Sequence, residues 1–87
     1  MVRTEVVFQC GDNLTPEIAA RLAQVAERHR AKLLMECGGK RVLLDSLIGI
    51  LSVECARGTT VGVIAEGEDE QAAMESAAAV LAGRCDG

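Results

Sequence analysis

Apolar residues change period several times along this chain, and each change predicts an element. Over residues 2–9, Val6 and Phe8 alternate with Val7 and β-branched residues are frequent, which predicts a strand. Gly11, Asp12 and Asn13 form a turn cluster. A helix start follows at Thr15-Pro16-Glu17. Thr15 suits the N-cap, Pro16 fits the first helical position, and Glu17 meets the positive end of the helix dipole. Ile18, Leu22, Val25 and Ala26 recur at helical spacing and predict one buried face. Arg28, His29 and Arg30 bring basic side chains to the last turn, where the dipole favours them. His29 therefore reads as a helix-terminal residue and not as a catalytic base.

Residues 32–37 form a short apolar run, Gly38-Gly39 is a hairpin signal, and residues 40–44 form a second run. Asp45 and Ser46 suit the cap of a short helix over residues 47–53. Leu47, Ile48, Ile50 and Leu51 make that helix apolar on more than one side. Gly49 weakens it by up to about 1 kcal/mol relative to alanine. Arg57-Gly58-Thr59 is a loop, and residues 60–65 predict a strand. Glu68, Asp69 and Glu70 crowd acidic charge at the start of a last helix. Met74, Ala77, Ala78 and Leu81 supply its buried stripe, and Gly83 ends it. The order is β-α-β-β-α-β-α, an α+β pattern. A four-stranded antiparallel sheet with three helices on one face buries such one-sided elements economically. Small ferredoxin-like proteins share much of this order, so the order alone assigns no function.

Composition narrows the partners. The chain has 87 residues, 49% of them hydrophobic, enough for one core and one domain over residues 1–87. A net charge of −4 argues against a phosphate-backbone partner. Phe8 is the single aromatic residue, so the stacking platform of most single-strand binders is missing. No apolar run approaches the roughly 20 residues of a membrane helix. The first residues, Met1-Val2-Arg3-Thr4-Glu5, form no secretory core. The expectation is a cytoplasmic protein with neither nucleic acid nor membrane as a direct partner.

Cys10, Cys37, Cys55 and Cys85 are widely spaced, with no CxxC pair, and His29 is the single histidine. A structural zinc site uses closely paired ligands, because a tight turn positions two of them together. The expectation is four free, semi-buried thiols, no metal and no cofactor.

Three stretches carry a resemblance. They are Asp45-Ser46-Leu47-Ile48-Gly49-Ile50-Leu51-Ser52, Ala65-Glu66-Gly67-Glu68-Asp69-Glu70-Gln71-Ala72, and the Gly39-Lys40 hairpin. Together they resemble the HPr family, the histidine-containing phosphocarrier proteins of the bacterial sugar phosphotransferase system. The nearest likeness is to the catabolite-repression type, and it covers nearly the whole chain without a gap. The resemblance implies an open-faced β-sandwich.

The likeness breaks where phosphate is transferred. The family's active loop reads Leu/Ile-His-x-Arg-Pro-Ala, and the matching stretch here is Leu14-Thr15-Pro16-Glu17-Ile18-Ala19. The phosphoryl-accepting histidine thus falls at Thr15, and the phosphate-steadying arginine at Glu17. A neutral imidazole is a usable nucleophile near neutral pH, whereas a threonine hydroxyl needs an activating base. Glu17 would repel a phosphoryl group, by on the order of 1–3 kcal/mol at about 6 Å. The expectation is that no phosphate passes from phosphoenolpyruvate through a histidine, and that no residue is catalytic.

Ser46 keeps the family's second chemistry. As an N-cap its hydroxyl sits against free backbone N–H groups, an arrangement that also favours a phosphate. In the family an ATP-dependent HPr kinase modifies this serine, and the modified protein acts as a corepressor. The plain alternative is a cap and nothing more. Asp45 adds a negative charge where relatives usually carry lysine. Leu14, Leu47, Ile48 and Leu51 match the patch that relatives use for docking. The plain alternative is that most of them are core, with Ile48 and part of Leu47 exposed.

The leading expectation is a non-enzymatic regulatory or adaptor domain, switched at Ser46 and acting as a monomer. Its partners would be an HPr kinase/phosphorylase, a transcriptional regulator or phosphotransferase-system enzymes. Two rivals stay open. One is a phosphocarrier using Thr15 or His29 as an unusual acceptor. The other is a thiol redox or metal module built on the four cysteines.

Overall fold

In the computed structural model, which describes residues 1–83, the elements follow the predicted order. They are β1 (Val2–Val7), α1 (Pro16–Arg28), β2 (Lys32–Cys37), β3 (Lys40–Leu43), α2 (Leu47–Leu51), β4 (Thr60–Glu66) and α3 (Glu70–Leu81). The strands make one sheet in the order β1-β4-β2-β3, and every neighbouring pair is antiparallel. The helices cover one face and leave the other open. The fold is the expected α+β open-faced sandwich.

Strand alternation decides what faces the helices. Val63 lies opposite Thr4 on one side and Met35 on the other. Val61, Val63 and Ala65 of β4 and Leu33, Met35 and Cys37 of β2 point inward and are buried. Against them pack Ile18, Leu22 and Val25 of α1 and Ala73, Ala77, Val80 and Leu81 of α3. Small alanines let α3 lie close to the sheet, and the expected stripe of Met74, Ala77, Ala78 and Leu81 is buried throughout. The open face carries charge instead. Glu36 meets Arg3 at 3.1 Å and Arg41 at 3.0 Å. Arg41 and then Arg3 hold the Glu36 carboxyl below its ordinary value. Exposed pairs of this kind add little stability but keep the face polar.

Several boundaries move from their predicted places. β1 ends at Val7, two residues before the predicted Gln9. There Phe8 turns fully inward, its N–H donates to the Thr59 carbonyl, and the Gln9 N–H donates to that of Leu81. β3 stops at Leu43 rather than Leu44, and β4 runs one residue further, to Glu66. α1 stops at Arg28, so Arg30 is not in its last turn and His29 is extended. α2 stops at Leu51 instead of Val53. The Ser52 hydroxyl donates to the Gly49 carbonyl at 2.6 Å and closes the helix early. Its Gly49 has a packing reason: an added Cβ would stand 3.2 Å from Ser46 Oγ.

Candidate functional site

The predicted site residues sit at the start of α1 and along α2, two helices that pack on each other. Leu14 ends the loop before α1. Its N–H donates to the Cys55 carbonyl at 3.0 Å, and the Arg57 N–H donates to that of Asp12 at 2.9 Å. These bonds tie the loop to the connection between α2 and β4. Between them lies an open groove of about 590 Å³ bordered by Asn13, Leu14, Leu51, Val53, Cys55 and Thr59. Leu14 and Leu51 thus share one groove, and Leu47 and Ile48 do not line it. Ile48 is 83% exposed, Leu47 45% and Leu51 42%, whereas Ile50 is fully buried. More of α2 faces solvent than a core reading allows. The reason is geometric: a helix of five residues, little more than one turn, turns only Ile50 fully into the core.

Thr15 is the N-cap of α1. Its Oγ1 accepts the Ile18 N–H at 3.3 Å, and Pro16 opens the helix. The hydroxyl is therefore engaged with backbone. Glu17 lies in the first turn and is exposed. Ser46 caps α2 in the same way, with Oγ accepting the Gly49 N–H at 3.1 Å. Ser46 and its neighbour Asp45 are both exposed.

His29 lies at the other end of α1, roughly 20 Å from Thr15 for a helix of 13 residues. Its Nδ1 is 2.9 Å from Asp69 Oδ2. The same carboxylate accepts the Ala31 N–H at 2.8 Å and the Arg30 N–H at 3.2 Å. Burial pushes the Asp69 carboxyl up, but the bonds from His29, Ala31 and Arg30 outweigh it and hold it below its ordinary value. A carboxylate only accepts, so Nδ1 carries a proton in this contact. Sequence reading missed this contact, because 40 positions separate the partners and no local spacing joins them.

The thiols are less dispersed than their spacing suggests. Cys37 and Cys55 are buried, with their sulfurs 3.1 Å apart, and Cys10 is half-buried. Cys37 and Cys55 are free thiols, and Cys85 lies outside the described residues. Among the described residues no group of three His, Cys, Asp or Glu side chains is placed to hold a metal ion. No helix among them is long and apolar enough to cross a membrane.

Residues 2–83 match the family model described as "PTS HPr component phosphorylation site". The chain belongs to the HPr family. Within that family it is similar to the catabolite-repression type. The HPr-like protein Crh of Bacillus subtilis is 38% identical over 81 residues, covering 93% of this chain and 95% of the relative. The HPr-like protein Crh of Halalkalibacterium halodurans is 35% identical over 81 residues, covering 93% and 96%. Among solved structures, HPr-C-His of Thermoanaerobacter tengcongensis superposes with a TM-score of 0.87 at 25% identity, covering 97% of this chain and 94% of that one. The crystal structure of Bacillus subtilis Crh superposes with a TM-score of 0.77 at 36% identity, covering 97% of both. That Crh structure is a dimer with a swapped domain. The expectation of a monomer draws no support from it.

Proposed function

We propose that this chain is a non-catalytic regulatory or adaptor member of the HPr family. It does not relay phosphate from phosphoenolpyruvate, and protein partners dock on Leu14, Leu47, Ile48 and Leu51. The observation that carries the reading is the contrast between the two phosphate positions. Thr15 stands where the family has its acceptor histidine, and its hydroxyl caps α1. Ser46 stands exposed at the start of α2, beside exposed Leu47 and Ile48.

Phosphorylation of Ser46 by an ATP-dependent HPr kinase is the switch in this reading. The Gly49 N–H that now binds Ser46 Oγ is a donor within reach of a phosphate oxygen. Asp45 opposes the added charge and lowers the response relative to a lysine there. The reading places the protein in the cytoplasm, with the kinase, a transcriptional regulator or phosphotransferase-system enzymes as partners. The test is intact mass after incubation with ATP and an HPr kinase. Gain of one phosphate that Ser46→Ala abolishes supports the switch. No gain leaves docking alone, and failure to retain any such partner in pull-downs as well would sink the reading.

A second reading has one observation in its favour. Asp69 holds the His29 ring through Nδ1 and leaves Nε2, the nitrogen a phosphoryl group would have to use, outside that contact. Acid-labile phosphate on His29, after incubation with enzyme I and phosphoenolpyruvate, would establish it. Absence of label would end it.

A further inference from the structure

We infer that Cys37 and Cys55 form a reversible disulfide site whose redox partner is a small thiol or its disulfide. Neither cysteine is a docking or phosphorylation residue of the regulatory reading, although Leu14 and Leu51 border the same groove as Cys55.

Two elements bring the sulfurs together. Cys37 is the last residue of β2, next to the Gly38-Gly39 turn, and β-alternation points it into the core. Cys55 lies in the connection from α2 to β4, and the Leu14 N–H fixes its carbonyl. The Cys55 thiol donates to Cys37 Sγ at 3.1 Å, and the Cys37 thiol donates to the Glu54 carbonyl at 3.6 Å. A disulfide bond is about 2.05 Å long, so the sulfurs must close by roughly 1 Å. Access comes from the open groove of about 590 Å³, which Cys55 borders. A small disulfide can enter there, whereas a second protein's buried cysteine cannot.

One of the two cysteines, as thiolate, attacks a sulfur of a glutathione-type disulfide. The small molecule's S–S bond breaks, and one half leaves as a thiolate that takes up a proton. The other cysteine then attacks the mixed disulfide, forms the Cys37–Cys55 bond, and expels the second half as a thiol. The protein gives up two electrons and two protons, and the small disulfide receives them as two thiols. Burial, and next the Cys37 thiol beside it, pushes Cys55 up to about 12. Thiolate is therefore scarce near neutral pH, and oxidation accelerates as pH rises.

The bond would have a mechanical consequence. Cys55 is hydrogen-bonded to Leu14, and its neighbours Ala56 and Arg57 pair with Asn13 and Asp12. Linking Cys55 to the end of β2 ties the β2–β3 hairpin to the loop that leads into Thr15. Half-buried Cys10 is the rival partner.

The test uses the whole reduced chain with oxidised glutathione as the probe, at neutral and mildly alkaline pH. Samples are quenched by alkylation, weighed intact and mapped after proteolysis. The expected result is loss of two hydrogens and of two alkylation sites, faster at the higher pH and reversed by dithiothreitol. The map should join Cys37 to Cys55. Cys10→Ala should leave both results unchanged, and urea should scatter the link among the four cysteines. Full alkylation of Cys37 and Cys55 at every oxidant excess would overturn the inference. So would a link through Cys10 or Cys85. The mapping needs no variant at a buried cysteine, so misfolding of such a variant cannot obscure the outcome.

Discussion

Asp69 joins the end of α1 to the start of α3 through His29, with Nδ1 and Oδ2 2.9 Å apart. The carboxylate is the nominal N-cap of α3, yet it makes no cap hydrogen bond there. It serves the strand-ward turn instead, taking the Arg30 and Ala31 N–H groups as well. Gly67 makes the close approach possible, because a Cβ at its φ of 149° would stand 2.7 Å from Ala31 Cα.

This contact sets an acid dependence. Asp69 is held below its unfolded value, and so are Glu36 and Glu70. The native state then binds fewer protons than the unfolded chain as pH falls through the carboxylate range. Their stabilisation is fully present above the unfolded values, near 4, and is lost as pH drops through the lower folded ones. Urea midpoints measured from neutral to strongly acid pH should fall on acidification. Asp69→Asn should start lower and show a shallower acid slope. An unchanged slope would remove Asp69 from this role.

Neighbouring isoleucines in α2 should respond oppositely. Ile50 is fully buried, so Ile50→Ala should cost about 2–5 kcal/mol in denaturant unfolding. Ile48 is 83% exposed, so Ile48→Ala should stay within about 0.5 kcal/mol. Ile48→Glu should keep the fold while reducing capture by an HPr kinase in a pull-down. Equal capture by Ile48→Glu and the parent chain would remove Ile48 from the docking face.

The two capping hydroxyls offer a third check. Thr15→Ala and Ser46→Ala each remove a side-chain acceptor from a helix start. Each should cost about 0.5–2 kcal/mol. The Thr15 loss should be the larger, because α1 carries four buried residues and α2 carries one. Chemical denaturation of both variants measures the order.

Restoring the family's acceptor chemistry tests the regulatory reading from the other side. The parent chain should take no acid-labile phosphate from enzyme I and phosphoenolpyruvate. Thr15→His combined with Glu17→Arg places an imidazole and a guanidinium at those exposed positions and removes the repelling carboxylate. That double variant should gain label at residue 15. Label on the parent chain at His29 would favour the second reading instead.

The element order and the capping residues were legible because they depend on near neighbours. Thr15 and Pro16 start α1, Ser46 starts α2, and the Met74–Leu81 stripe repeats at helical spacing. Strand and helix ends were legible only approximately. β1 stops at Val7 because Phe8 is drawn under Thr59, and α1 stops at Arg28 where Asp69 captures the next turn. Both are decided by residues distant in sequence. The same holds for the sulfurs of Cys37 and Cys55, brought to 3.1 Å across 18 positions. Local propensity acts over a few residues and fixes what each segment becomes. Which side chains then meet, and which of Leu47, Ile48, Ile50 and Leu51 stay in water, is set by how the layers pack.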